Sequence, residues 1–195
     1  MDDRNFFDKL APTWDDNEVL STPEKVNKIL DMLCINPGET VLDLGTGTGV
    51  LLPFIAKRVG ENGKIVAVDY SEGMLKQAKN KFSSLRPEPL FLNIDFENEN
   101  IEGEYDKIIM YCVYPHLHTP VDTLKWLSKV NLKDGGNIFI AFPCSEEFIN
   151  NIHKEKHSES DALLSAPKLA EYLNNAGLKA EVLSADADSY LIKVH

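Results

Sequence analysis

Apolar runs of strand length alternate along this chain with apolar stripes at helical spacing. The first clear run is Val41-Leu42-Asp43-Leu44, entered at Thr40 and followed by Gly45, Gly47 and Gly49. A helical pattern, Leu51-Leu52-Pro53-Phe54-Ile55-Ala56, begins directly after it. Further strand-length runs lie at 64–69, 90–95, 106–113 and 137–142, and two more, at 178–183 and 190–194, read as an antiparallel closing hairpin. Between them fall stripes of helical period: Met74, Leu75, Ala78 and Phe82; Val121, Leu124, Leu127 and Val130; Leu169, Leu173 and Ala176. Upstream, Val26, Ile29, Leu30 and Leu33 form another stripe, opened by Thr22-Pro23 and closed by Asn36-Pro37-Gly38. Ser71 is placed as a helix cap, and Gly177 as a helix stop. Strands that alternate with helices in this way predict an α/β fold with a doubly wound, mostly parallel sheet.

The ends of the pattern are less regular. Phe6, Phe7, Leu10 and Trp14 recur at roughly helical spacing in 5–15. They predict a helical cap, within 1–36, that covers either the open face of a cleft or an edge of the sheet. Residues 97–104 read as a solvated acidic loop, and 132–136 as a turn. Residues 145–157 read as a helix within an insertion at 144–165, which would serve as a lid. Nothing resembles a linker, so the whole of 1–195 reads as a single domain.

The glycine loop carries the first candidate chemistry. Strand, tight glycine turn and helix bring bare backbone and unpaired N–H groups to one point. A dinucleotide fingerprint needs G-x-G-x-x-G. Here position 50 is valine, which disfavours an NAD-dependent oxidoreductase. The spacing is instead G-x-G-x-G, preceded by Asp43. A second run, Lys64-Ile65-Val66-Ala67-Val68-Asp69, again ends in an acid, and Tyr70-Ser71-Glu72-Gly73-Met74-Leu75 opens the next helix.

Both halves together resemble class I S-adenosylmethionine (SAM) methyltransferases, small-molecule enzymes of the methyltransferase domain 11/25 type. The resemblance covers almost the whole chain. It implies a Rossmann-like seven-stranded sheet of order 3-2-1-4-5-7-6 with strand 7 antiparallel. It implies SAM as cofactor and S-adenosylhomocysteine (SAH) as product. Asp43, Gly45, Thr46, Gly47 and Gly49 would face the methionine part of SAM. Asp69 and Tyr70 would meet the ribose, with Met74 beside them, and Asp95 and Phe96 the adenine. Tyr111 and Trp14 would complete the cofactor site. The opening at 5–15 is similar to that of quinone-biosynthesis methyltransferases, and Leu132-Lys133-Asp134-Gly135-Gly136 to the family's L-K-P-G-G turn, with Asp134 for proline. No N-P-P-Y motif follows the fourth strand, which argues against amino-methylation of DNA bases or protein glutamine.

His116 is the candidate general base, because it follows the fourth strand and titrates near neutrality. Tyr111 and Tyr114 are candidates to hold substrate or sulfonium, and His153 to act from the lid. The histidines pair as His116-x-His118 and His153-x-x-x-His157, which leaves open a divalent transition metal bound by all four. The lid stretch 147–153 resembles that of a branch of small prokaryotic methyltransferases in which a further histidine ends strand five. Phe142 stands there, which weakens a three-histidine site.

Composition narrows the partners. Twenty Lys and Arg face 31 Asp and Glu, a net charge of −11, so a nucleic-acid substrate is disfavoured. No apolar run reaches membrane-span length, and Met1-Asp2-Asp3-Arg4-Asn5 is no signal region, so a cytoplasmic protein is expected. Cys34, Cys112 and Cys144 form no CxxC pair and read as reduced thiols, with a thiophilic acceptor as the remote alternative. The expectation is a SAM-dependent methyltransferase with a small-molecule acceptor, monomeric or homodimeric. A non-catalytic SAM-binding module remains the alternative.

Overall fold

Seven strands form one sheet in the order β3-β2-β1-β4-β5-β7-β6. They are β1 (Thr40–Leu44), β2 (Lys64–Asp69), β3 (Leu90–Asn93), β4 (Tyr105–Tyr111), β5 (Leu132–Phe142), β6 (Ala180–Asp186) and β7 (Ser189–Val194). Strands β1 to β5 pair in parallel, and β7 runs antiparallel to both β5 and β6. This is the expected order. The computed structural model describes residues 3–17, 22–156 and 162–195. Its helices are α1 (Asp3–Leu10), α2 (Pro23–Met32), α3 (Leu52–Val59), α4 (Glu72–Phe82), α5 (Pro120–Val130), α6 (Glu146–Lys156) and α7 (Ala166–Asn175), with short 3-10 turns at Ala11–Asn17 and Tyr114–His116.

The strands are apolar throughout because both sheet faces are covered. Successive residues point to opposite faces, so each strand feeds two cores. Val41, Ile65, Ala67, Ile109 and Phe139 pack with α2 and α3 on one side. Leu42, Leu44, Val66, Val68, Ile108 and Ile138 pack with α5 and α7 on the other. Parallel pairing aligns Leu44 with Val68, so the loops that leave β1 and β2 emerge side by side.

Several boundaries differ from the pattern-based expectation. Helix α2 ends at Met32, because Cys34 already adopts a left-handed backbone (φ 51°), rather than at 36–38. Strand β4 stops at Tyr111, where Cys112 turns the chain at φ 58°. Strand β3 ends at Asn93, two residues early. The expected turn at 132–136 belongs to β5: the register jumps between Tyr105↔Leu132 and Lys107↔Asn137, and Gly135 (φ 78°) absorbs the bulge. Val130 is 40% exposed rather than buried. Nine residues from Val121 amount to two and a half helical turns, which carries Val130 to the opposite side of α5.

The acidic loop is not simply solvated either. Glu97 accepts hydrogen bonds from the backbone N–H of His118 (3.0 Å) and from the N–H and hydroxyl of Thr119 (2.6 and 3.0 Å). Thr119 is the N-cap of α5 but makes no capping bond with its own side chain, so a carboxylate from another loop holds that end. Ile101, in the same loop, is buried in the core. Replacing Glu97 by Ala should cost about 1–2 kcal/mol of stability, the usual worth of a lost cap. Thermal denaturation should register a fall of roughly 2–8 °C for a chain of this size. An unchanged midpoint would mean the contact is idle in solution.

Candidate active site

The site begins where β1 ends. The N–H groups of Gly45 and Thr46 both donate to Val68 O (2.8 and 2.9 Å), which folds the loop across the top of β2. Gly45 is at φ 74°, and a Cβ there would lie 2.4 Å from Val113 Cγ2. The chain leaving β4 presses on the loop at that point, so the residue has to be glycine for packing. Gly47 differs. A Cβ on it would meet no atom within 4 Å, so its bare backbone borders open space. Gly49 sits against Leu52 and Phe82.

Two buried carboxylates stand beneath this loop. Asp43 is 1% exposed and accepts the Thr46 hydroxyl at 2.6 Å. Burial pushes its pKa up to about 7; the Thr46 hydrogen bond opposes the shift and the nearby Asp69 adds to it. Asp69 is 6% exposed and accepts from Gly47 N–H through one oxygen (2.8 Å) and from Ser71 N–H through the other (2.9 Å). Burial raises it to about 6, against those backbone donors, and the Asp8 carboxylate pushes the same way as burial. Each oxygen of Asp69 keeps a further lone pair for a ligand hydroxyl. Ser71 caps α4 as expected, accepting from Met74 N–H at 3.1 Å, and Met74 itself is buried.

Residues 3–17, α1 and the turn after it, lie over this cleft; we call them the strap. Phe7 is its centre. Its ring meets those of Trp14 (5.6 Å), Tyr70 (6.1 Å) and His116 (5.4 Å, edge to face). The Arg4 guanidinium sits 5.6 Å from the centre of the Tyr70 ring and 3.6 Å from Asp95. The structure thus brings Trp14, Tyr70, Asp95 and His116 together around one cleft.

Other candidate residues are placed differently. Asp95 also opens a tight turn, accepting from Glu97 N–H (3.3 Å) and the Asn98 amide (3.0 Å). Phe96 is half-buried against the core on the α5 side. Tyr111 is buried on the α2–α3 side. Tyr114 is buried, and its phenol is pushed up to about 12 by that burial and by the neighbouring Tyr172, so it stays protonated. Burial pushes the Cys144 thiol up to about 11, which removes it as a thiolate. His118 is exposed, with its backbone on Glu97. Among the described residues no three His, Cys, Asp or Glu side chains cluster as metal ligands. His153 lies on α6, while His157 falls outside the described residues.

A cavity of about 170 Å³ adjoins the turn that carries His116. Tyr114, Pro115 and Leu117 line it from the turn, and Leu163, Leu164 and Tyr172 from the far end of the insertion and α7. Asn150, which looked like a polar anchor for substrate, has another role. Its amide donates to Leu163 O (2.9 Å) and accepts from Leu163 N–H (2.7 Å). With the Tyr190 hydroxyl donating to Leu164 O (3.1 Å), it fixes the cavity wall.

Comparison with known proteins agrees with this geometry. A family model described as a methyltransferase domain matches residues 35–183. The chain belongs to this methyltransferase family, class I in fold, and its cofactor is SAM. A 2-phytyl-1,4-naphtoquinone methyltransferase from a Nostoc species is 36% identical over 50% of this chain and 43% of its own length. A carboxy-S-adenosyl-L-methionine synthase from Nautilia profundicola is 30% identical over 76% of this chain and 64% of its own. The chain therefore spans between two fifths and two thirds of these two relatives. A solved SAM-dependent methyltransferase from Aquifex aeolicus superposes with a TM-score of 0.73 at 24% identity, covering 100% of this chain and 98% of that one.

Sequence reasoning overlooked Asp8, Asp15 and Thr48, which tie the strap to the site. The only trace in the sequence was the amphipathic spacing of 5–15, because nothing local says which distant N–H a carboxylate will meet. The two glycines should now separate by experiment. Gly47→Ala should leave a folded protein, with a melting midpoint within a few degrees, while SAH affinity falls at least about tenfold as the Cβ enters ligand space; ten-fold corresponds to about 1.4 kcal/mol. Gly45→Ala should lower the midpoint more, through the Val113 clash. Calorimetry and thermal denaturation of both variants decide it, and the reverse order would contradict the assignment.

Proposed function

We propose that this protein transfers the methyl group of SAM to a small acceptor with a largely apolar body. The observation that carries the reading is the arrangement at the head of the sheet. Open space at Gly47 stands over two buried carboxylates, and an apolar cavity sits one turn of chain beyond His116. Asp43 would take the ammonium end of the cofactor, Asp69 the ribose hydroxyls, and Asp95 the adenine amine. The cavity is about the size that accommodates a single aromatic ring. Its lining offers no charged side chain, which suits a neutral group. The Nostoc relative is named for a naphthoquinone acceptor, which supports an apolar body.

SAM supplies a sulfonium methyl for in-line displacement: the acceptor–carbon bond forms as the sulfur–carbon bond breaks, and the pair of electrons stays on sulfur. The chain orients the partners, which contributes several kcal/mol to such reactions. The turn at 114–116 carries Tyr114 and Pro115 to the cavity and His116 to the strap side. Where the acceptor bears a proton, the His116 imidazole would take it.

The test is SAH production measured by mass spectrometry across a panel of phenols, quinols, small carboxylic acids and amines, with and without divalent metal. Turnover on an apolar acceptor that His116→Ala lowers at least about tenfold, with SAH affinity kept within a few-fold, is the expected result. Turnover confined to charged amines or acids would overturn the apolar assignment. SAH binding without turnover on any acceptor would favour a non-catalytic module.

The carboxylates add a pH dependence. Asp43 and Asp69 titrate near 7 and 6 in the folded protein against an ordinary 3.8. Their pKa values are raised, so their contribution to stability is full below about pH 4 and is lost as pH rises through 6–7. A cofactor that brings an ammonium and ribose hydroxyls favours the ionised forms and reverses the trend. SAH should therefore bind at least about tenfold more tightly at pH 8 than at pH 5.5, because each unit of pKa displacement is worth a factor of ten. Flat affinity between those values, by calorimetry, would place the ammonium elsewhere.

A further inference from the structure

The strap is fastened at two points, and both lie on the segments that frame the cofactor cleft. Asp8 Oδ1 accepts the Ser71 hydroxyl (2.6 Å) and the Gly73 N–H (2.9 Å), at the start of α4. Asp15 accepts the Thr48 hydroxyl (2.6 Å) through one oxygen and the Lys81 ammonium (2.6 Å) through the other. Thr48 stands between Gly47 and Gly49 in the glycine loop. Asp69 joins the two anchor points from below, through Gly47 N–H and Ser71 N–H. One hydrogen-bonded path therefore runs from Asp15 through the glycine loop, Asp69 and Ser71 to Asp8. Phe7, beside Asp8, is the strap residue whose ring meets His116.

Gly73 adds an independent sign of close docking. A Cβ there would lie 3.1 Å from Asp8 Cα, O and Oδ1, so the α1 backbone rests on the bare backbone of α4. A glycine inside a helix is otherwise a liability relative to alanine.

We propose that Asp8 and Asp15 seat the strap on the glycine loop and α4 in a cofactor-dependent way, and that Phe7, so seated, is a positioning residue for His116. The coupling rests on the reading that the cleft takes SAM. A ligand that orders the glycine loop and Asp69 also orders both anchor points, so it tightens the strap. By linkage the docked strap tightens the ligand to the same degree. Phe7 then closes one side of the acceptor site and holds the imidazole by its edge-to-face contact.

The experiment uses the full chain and SAH. Trypsin cleavage after the exposed Lys9 reports strap release, and calorimetry reports SAH binding separately. In the wild type, saturating SAH should slow that cleavage at least about tenfold, a coupling in the usual allosteric range. Asp8→Asn/Asp15→Asn should lose most of the protection and bind SAH at least about fivefold more weakly. Gly73→Ala should also release the strap while its melting midpoint holds or rises, which separates strap docking from general destabilisation. Phe7→Leu should keep the protection but shift the His116 Hε1 resonance and lower kcat more than KM for SAM. If wild-type SAH binding brings no protection, or the double variant is protected as well as the wild type, the coupling is wrong. If Phe7→Leu leaves the His116 resonance in place, the positioning role is wrong. Absence of SAH binding to the wild type would overturn the cofactor reading, and the coupling with it. The His116 resonance in the ligand-free protein would still test Phe7.

Discussion

The Asp69 carboxylate holds the head of this molecule together. One oxygen fixes the glycine loop through Gly47 N–H, and the other fixes the start of α4 through Ser71 N–H. Without it, two loops that emerge side by side would share no bond at their tips. The parallel register of β1 and β2 places the carboxylate, and a buried position raises its pKa. Its charge is therefore held at some cost, which backbone donors partly offset. An acceptor under such tension is well suited to a ligand that brings further donors.

The same point connects the sheet to the strap. Asp8 and Asp15 bind the elements that Asp69 clamps, so cleft and cover are parts of one network rather than a pocket with a loose flap. On the opposite side, Val113 presses on Gly45, and the turn it enters carries His116.

Support also arrives from places of no obvious chemical interest. Glu97, in an acidic stretch, secures the N-terminal end of α5 and with it the far end of the His116 turn. Asn150, on the insertion, secures Leu163 and so one wall of the cavity. Both are polar side chains used on backbone groups. Long loops close to an active site need such partners, because the sheet satisfies none of their N–H and C=O groups.

What the sequence determined by itself was whatever depends on neighbours along the chain. Apolar runs and stripes set the strands and helices, since one residue's direction follows from the next. The glycine spacing after Asp43 and the acid at Asp69 marked the cofactor cleft, because strand, turn and helix are local. The strand order followed from resemblance, and the structure bears it out. Only the tertiary structure decided which of three similar glycines faces open space, since that depends on where Val113 arrives from β4. It alone showed Val130 turned outward, Glu97 spent on a helix end and Asn150 spent on a loop. It alone joined Asp8 and Asp15 to residues more than thirty positions away. A short polar side chain carries no mark of its distant partner, because hydrogen bonding selects by position in space, and position in space is settled only when the sheet has formed.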